Sequence, residues 1–361
     1  MALGNGHSPS WSFVSRVMER SEHGGGIAMN GAFVISLDFE LNWGTFDGTT
    51  IEAYGENLLG VRQVVPSLLD LFAAHQIHVT WATVGFLFYE TKAELLKDLP
   101  TIQPAYRHPE YSSYNWMQHV GADEATDPYH FGKSLVDQII ATPGQTIGTH
   151  TYCHLSCLEE GVTIEAFKAD LEAAKRVAAR RDVPIQSIVY PRNQSSPAHF
   201  KAAQEVGIDV YRGNETHYIY RADARGDEGL GRRALRLLDA YVNLTGHHTV
   251  SWESIRQSSP YNVPSSRFLR PYVSALRFLD RLKLRRIKRS MTHAAKTGQV
   301  FHLWWHPHNF GKHLSENMAM LSEIVAHYEK LHQTHQFESL SMEEVADRCR
   351  PVVVSTQERH G

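Results

Sequence analysis

Cysteine is scarce: three in 361 residues, too few for a disulfide framework and in keeping with a reducing compartment. Long apolar runs are missing as well. The longest, Val79 to Tyr89, has about 11 residues against the roughly 20 that a membrane-spanning helix needs. No charge of one sign dominates: 36 Lys and Arg against 39 Asp and Glu leave a net of −3, so there is no electrostatic case for nucleic acid. The start, MALGNGHSPSWSFVSRVMER, lacks a charged region followed by an apolar core and does not read as a secretory signal. With Gly24, Gly25 and Gly26 it reads as a loose leader over residues 1–30, and a cytoplasmic protein is expected. No internal repeat or low-complexity tract interrupts the rest. What is present is an ordinary globular mixture, 42% hydrophobic and 21% charged, able to bury a large core.

Histidine stands out, with 22 copies. It is the commonest metal ligand and the usual proton shuttle near neutral pH. The order of elements shows where to look for its use. Short apolar runs predict strands at Ala32–Leu37, His78–Thr83, Gln145–Thr149, Ser187–Tyr190, Ile208–Tyr211, Gln299–Trp305 and Phe337–Leu340. Helical spacing falls between them at Val61–His75, Ile164–Arg181, Pro197–Val206 and Leu314–Leu331. Alternating strand and helix argues for an α/β fold with a parallel sheet or barrel. Asp38, Glu40, His150, Arg192 and His306 all fall at or just after strand ends. In a (β/α) barrel those ends form the active face, so separated segments would converge on one mouth.

Two regions break the alternation. Residues 101–131 are aromatic and proline-containing, and read either as a substrate lid or as a packed surface insertion. Residues 213–296 read as a long insertion. Within it, 267–289 carries nine Lys or Arg against Asp280, with Leu269, Val273, Leu276, Leu279 and Leu282 as an amphipathic stripe. That stretch suits peripheral contact with an anionic membrane, or a solvated helix packed on the barrel.

The candidate chemistry is local. His150 and His154 stand four apart, a spacing that brings two imidazoles onto one helical face and suits a divalent metal such as zinc. Cys153 and Cys157 offer a rival Cys/His zinc, but no second pair matches them, and buried small apolar residues are the default. Asp38 and Glu40 flank Phe39, and in an extended segment i and i+2 point the same way. One carboxylate can ligate a metal while the other acts as general base, with Arg192 supplying a cation that keeps it ionised. His306, after a strand walled by Trp304 and Trp305, is the candidate general acid; His302 and His308 read as packing or supporting residues.

In combination these segments resemble the polysaccharide deacetylase superfamily, carbohydrate esterase family four. Ser36-Leu37-Asp38-Phe39-Glu40 is similar to its first motif, His150 to His154 to its H-[ST]-x-x-H motif, Pro191-Arg192-Asn193 to its arginine motif and Leu303 to Pro307 to its last. Phe39 departs from the commoner adjacent aspartates, and no match to the Asp/Trp motif falls between Arg192 and His306. The resemblance implies a distorted (β/α)7-type barrel over 31–361, with the 213–296 insertion before the last motif strand. It implies a metal-dependent hydrolase that removes an acetyl group, N-acetyl first, from a sugar or glycan precursor, free or lipid- or phosphate-linked. Asp38 would be the base, held by Arg192, and His306 the acid. Glu40, His150 and His154 would hold a divalent metal, zinc first, with cobalt or nickel as alternatives. The roles of Asp38 and Glu40 are exchangeable on sequence alone. Hydrolases of cyclic amides and an inactive carbohydrate-binding barrel are the alternatives on the same fold.

Overall fold

The structure is a computed structural model, and it describes residues 29–222 and 229–351. The expected leader, apart from its last two residues, lies outside that range. Among the described residues the strands are β1 (Ala32–Phe39), β2 (Val79–Thr83), β3 (Gln145–Thr149), β4 (Ser187–Val189), β5 (Val210–Arg212), β6 (Tyr261–Asn262), β7 (Arg267–Phe268), β8 (Val300–Trp305) and β9 (Glu338–Leu340). They form one parallel sheet in the order β6-β5-β4-β3-β2-β1-β8-β7, with β9 beside the start of β1.

The sheet curls because its two edges belong to one segment. Tyr261 and Val263 donate their amides to Asp209 and Tyr211 beside β5, and Ser266 and Leu269 donate theirs to His302 and Trp304 on β8. Residues 261–269 therefore bridge β5 and β8 in a single kinked pass. The α/β barrel expected from the alternation is present, and its closing member lies inside the region that reads as an insertion.

Side-chain alternation divides the core. Phe33, Ile35, Leu37 and Phe39 of β1 pack outward against the surrounding helices. Ala32 and Val34 face inward and meet Val189, Val210, Val263 and Val300 from neighbouring strands. The helix Met342–Cys349 joins that second cluster through Met342, Val345 and Ala346. The inward face of β1 thus runs Ala32, Val34, Ser36, Asp38. Apolar packing gives way to polar groups toward the carboxyl ends of the strands, the end a barrel uses for chemistry. The first helix, Ile51–Ala74, starts ten residues before its expected beginning at Val61, where Thr50 caps it by accepting from the Ala53 amide.

Residues 101–131 are a packed wall. The Tyr106 hydroxyl accepts from the Ser156 amide at 3.0 Å, the Ser113 hydroxyl donates to the Cys153 carbonyl at 2.6 Å, and Trp43 donates to the His130 carbonyl at 2.7 Å. The stretch 267–289 is not one amphipathic helix. It is β7, an irregular turn and the start of the helix Asp280–Thr297. Leu269 is fully buried, and Arg267 and Arg286 are drawn inside by buried Asp239.

Candidate active site

Asp38 ends the inward row of β1, and Glu40 follows it on the same side. Phe39 between them is buried outward. Glu40 has room because residue 44 is glycine: a Cβ there would lie 2.0 Å from the Glu40 Cδ. The Glu40 Oε2 stands 3.2 Å from His150 Nε2 and 3.1 Å from His154 Nε2. Its Oε1 is 3.1 Å from His308 Nε2 and 3.6 Å from His306 Nε2. Asp38 Oδ2 is also 3.6 Å from His306 Nε2. Segments far apart in sequence therefore meet at one mouth.

The two histidines of the H-x-x-x-H segment meet on a loop rather than a helix. Thr151 and His154 adopt left-handed φ of 62° and 60°, which no regular helix allows. Buried Asp170, from the helix Ile164–Ala179, fixes that loop by accepting from the Tyr152 amide at 2.6 Å and the Cys153 amide at 3.2 Å. Burial raises the Asp170 carboxyl from 3.8 to about 6. The native state then holds this proton more tightly than the unfolded chain. Its stabilising contribution is complete below 3.8 and is lost as pH rises through about 6. The loss is on the order of 3 kcal/mol. Urea unfolding of the wild type and Asp170→Asn between about pH 4 and 7 checks this. The wild type should lose stability relative to the variant over that range, and a constant difference would refute it.

The residues present fit a divalent ion. The His150 Nδ1 lies 2.8 Å from the Val189 carbonyl, which can only accept, so Nδ1 carries the proton and Nε2 turns a lone pair toward Glu40. A lone pair and a carboxylate oxygen face each other favourably only across a cation or a proton. Two ligand atoms about 2.1 Å from a tetrahedral zinc stand about 3.4 Å apart. The Glu40–His150 and Glu40–His154 separations of 3.2 and 3.1 Å are close to that edge. Glu40 with His306 and His308 forms a second group of facing ligand atoms. His308 is more than packing: it touches the second oxygen of Glu40, and its Nδ1 meets the Tyr54 hydroxyl at 2.8 Å. The cysteine alternative finds no support in the geometry: among the described residues neither group of facing ligand atoms includes Cys153 or Cys157, and both thiols are buried.

The cation beside Asp38 is Arg212, not Arg192. Arg212 ends β5, is fully buried, and meets both carboxylate oxygens at 2.7 and 2.8 Å. It also donates to the Ser36 hydroxyl at 3.0 Å and the Asn193 side-chain Oδ1 at 3.1 Å, and its guanidinium lies 4.1 Å from the Trp304 ring. Arg192 and Asn193 both take left-handed φ after Pro191. In that turn Asn193 meets Arg212, while Arg192 donates to Asp47 at 2.7 Å. Ser36 in turn donates to His302 Nε2 at 2.8 Å, because His302 Nδ1 is committed to the Val263 carbonyl. Burial drops His302 to about 3, so it stays a neutral acceptor. Arg212 follows the strand expected at Ile208–Tyr211 and satisfied the same strand-end criterion that singled out the other candidates.

Electrostatics separate the two acids from the imidazoles. Burial alone would raise Asp38, but Arg212, His150 and His306 outweigh it and hold the carboxyl below its ordinary value. Glu40 is held well below, against its burial, by His306 and, when Nε2 carries a proton in place of a lone pair, by His150, His154 and His308. Burial lowers His154 and His306. The arrangement offers an ionised carboxylate, a partly exposed imidazole and a set of facing ligand atoms around one small space.

No family model and no curated protein matches the chain. Solved structures do. A Mycobacterium smegmatis structure, described as a candidate polysaccharide deacetylase, superposes with a TM-score of 0.57 at 13% identity, over 91% of this chain and 93% of its own. The fold is that of the polysaccharide deacetylases. The Puue allantoinase also superposes on this chain, with a TM-score of 0.51 at 11% identity, over 88% of this chain and 89% of its own.

Proposed function

We propose that the protein is a metal-dependent hydrolase that removes an acetyl group, N-acetyl first, from a sugar or glycan precursor. The observation that carries this reading is the placement of His306 3.6 Å from both Asp38 and Glu40, beside the Glu40–His150–His154 group. Base, acid and ligand set share one mouth.

The reaction is hydrolysis of an acetamide. Water adds to the carbonyl carbon, the C–N bond breaks, and acetate and a free amine leave. Asp38 takes the proton from the attacking water, and Arg212 keeps that carboxylate ionised and aimed. His306, 3.6 Å from Asp38, takes up that proton and passes it to the departing nitrogen; 23% exposure of its side chain lets the substrate reach it. Trp304 and Phe268 wall the same imidazole, with ring centres 5.7 and 6.1 Å away, and limit competing water. Glu40, His150 and His154 would hold a divalent ion, zinc first, with cobalt or nickel as alternatives. Bound there, it supplies Lewis acidity toward the carbonyl and acidifies water.

Metal content by mass spectrometry tests the reading, on tag-free wild type beside His150→Ala/His154→Ala. About one ion per chain in the wild type, absent from the control, is expected. Acetate release from N-acetylated sugars should disappear with it. A well-folded wild type that takes up no metal on reconstitution would sink the proposal. The likeness to an allantoinase favours one second reading, a hydrolase of cyclic amides. Ring opening without acetate release would select it.

A further inference from the structure

The segment between β5 and β8 carries a surface that the catalytic reading does not use. Its frame is rigid. Asp239 is fully buried at the end of the helix Leu230–Asp239. It accepts from Arg267 at 2.5 Å, from the Tyr220 hydroxyl at 2.6 Å and from the Leu244 and Thr245 amides at 2.9 and 3.0 Å. Arg286 of the helix Asp280–Thr297 completes the knot, 3.6 Å from the same carboxylate. Helix, β7 and the second helix are thus pinned together from inside.

On that pinned frame the apolar side chains point outward. Among the described residues, ten of thirteen exposed large apolar side chains fall between Tyr218 and Leu282; the other three are Leu59, Leu96 and Ile102. Leu230 is 81% exposed and Phe278 is 70% exposed. Isolated surface leucines need no explanation, but a run concentrated on one element group does. Arginines accompany them. Arg281, Arg285 and Arg289 recur every four residues and share one face of the second helix, with Arg277 one turn before. No carboxylate among the described residues pairs with these four, since the neighbouring Asp280 is taken by Lys283 at 2.8 Å. Val242 and Leu282 line one cleft of about 640 Å³ together with Arg285 and Arg289, which puts these two apolar side chains beside two of the arginines.

We infer that this face docks on an anionic lipid bilayer. Apolar side chains beside a stripe of arginines match the boundary between acyl chains and negatively charged headgroups. A soluble anion would use the arginines and leave Phe278 and the leucines in water. Among the described residues no helix is long and apolar enough to cross a membrane, so the contact is peripheral. The surface differs from the stripe expected over 267–289, because Leu269, Arg267 and Arg286 are committed to the interior. It also has a place relative to the site. The segments that carry it leave the barrel at the carboxyl ends of β5 and β7, and Phe268 of β7 stands beside His306. Phe278 lies in the same connection, between β7 and the helix that leads back into β8. A sugar carried on a lipid would then meet Asp38 and His306 from the bilayer side; that consequence rests on the carbohydrate reading, whereas the docking does not.

Co-sedimentation of the full chain with vesicles of phosphatidylcholine, with and without phosphatidylglycerol, tests the inference. Binding is expected only with phosphatidylglycerol present. Arg281→Ser/Arg285→Ser/Arg289→Ser should weaken it by more than about 100-fold, at about five-fold per arginine. Phe278→Ser/Leu282→Ser should weaken it as well, with thermal unfolding unchanged because both side chains are exposed. The emission of a Phe278→Trp variant should move to the blue on adding the anionic vesicles. His150→Ala/His154→Ala should bind vesicles as the wild type does, which separates this result from the fate of the deacetylase reading. Three outcomes would overturn the inference. These are no binding to anionic vesicles, binding of inorganic phosphate without vesicle binding, or a dimer by light scattering that Phe278→Ser/Leu282→Ser dissociates.

Discussion

Asp38→Asn should lower turnover by about 10²- to 10⁴-fold while metal content stays near one ion per chain. The reason lies in how the two carboxylates divide their partners. Glu40 spends its oxygens on four imidazoles, at 3.1 to 3.6 Å, and has the geometry of a ligand. Asp38 lies against one guanidinium and has the geometry of a base: ionised, oriented and within reach of His306. A carboxylate has about four lone-pair positions, so two arginine bonds leave it able to accept a proton. Asparagine keeps the shape and removes that capacity. It leaves Glu40, His150 and His154 untouched, so kcat should fall and metal should remain. It also turns an amide N–H₂ toward Arg212, so thermal unfolding belongs beside the kinetics to separate lost chemistry from lost fold. Full turnover in Asp38→Asn would hand the base role to Glu40, the exchange that sequence alone left open.

The site was legible where two signals coincided, a strand end and a polar residue. Asp38, Glu40, His150 and His306 met both conditions, and the structure sets His150 3.2 Å from Glu40 and His306 3.6 Å from both carboxylates. Strand alternation put Asp38 and Glu40 on the same side because Phe39 had an apolar surface to join. What was missed had no local signal or a contrary one. β6 and β7 are two residues each, too short for any periodicity, and Pro264 with Ser265 and Ser266 reads as a turn. Yet that segment closes the barrel. The stripe over 267–289 misled because Asp239, 28 residues before Arg267 in the chain, draws Arg267 and Arg286 into the core. A helical pattern carries no mark of such a partner. Arg192 stands in the motif neighbourhood, and Arg212 was not singled out from sequence. The pair of left-handed residues that turns it toward Asp47 is a backbone fact that the letters Arg192-Asn193 only permit.

Arg212→Met and Arg192→Gln should therefore behave very differently. Arg212 is a positioning residue that acts through Asp38. Removing it leaves a buried carboxylate with no guanidinium, and an orphaned charge of that kind costs about 3–5 kcal/mol. Denaturant unfolding should show that loss, and kcat should collapse with it because burial would then oppose the ionised base. Arg192 and Asp47 form a pair whose arginine is 28% exposed. The Asp47 carboxylate is 5% exposed, so losing this partner should cost about 1–3 kcal/mol of stability, but it leaves the Asp38 environment intact, so kcat should stay within a few-fold. Lysine at 212 restores the charge but not the two-pronged fit to Asp38, Ser36 and Asn193, so it should recover only part of the loss. The double variant Arg212→Met/Asp38→Leu distinguishes charge burial from general damage to the barrel. With both charges gone the desolvation penalty goes too, and stability should return most of the way while turnover remains absent. A double variant as unstable as Arg212→Met would mean that the guanidinium holds the barrel through Ser36, Asn193 and Trp304 rather than through the base. Equal losses from Arg192→Gln and Arg212→Met would return the orienting role to the motif arginine and remove Arg212 from it.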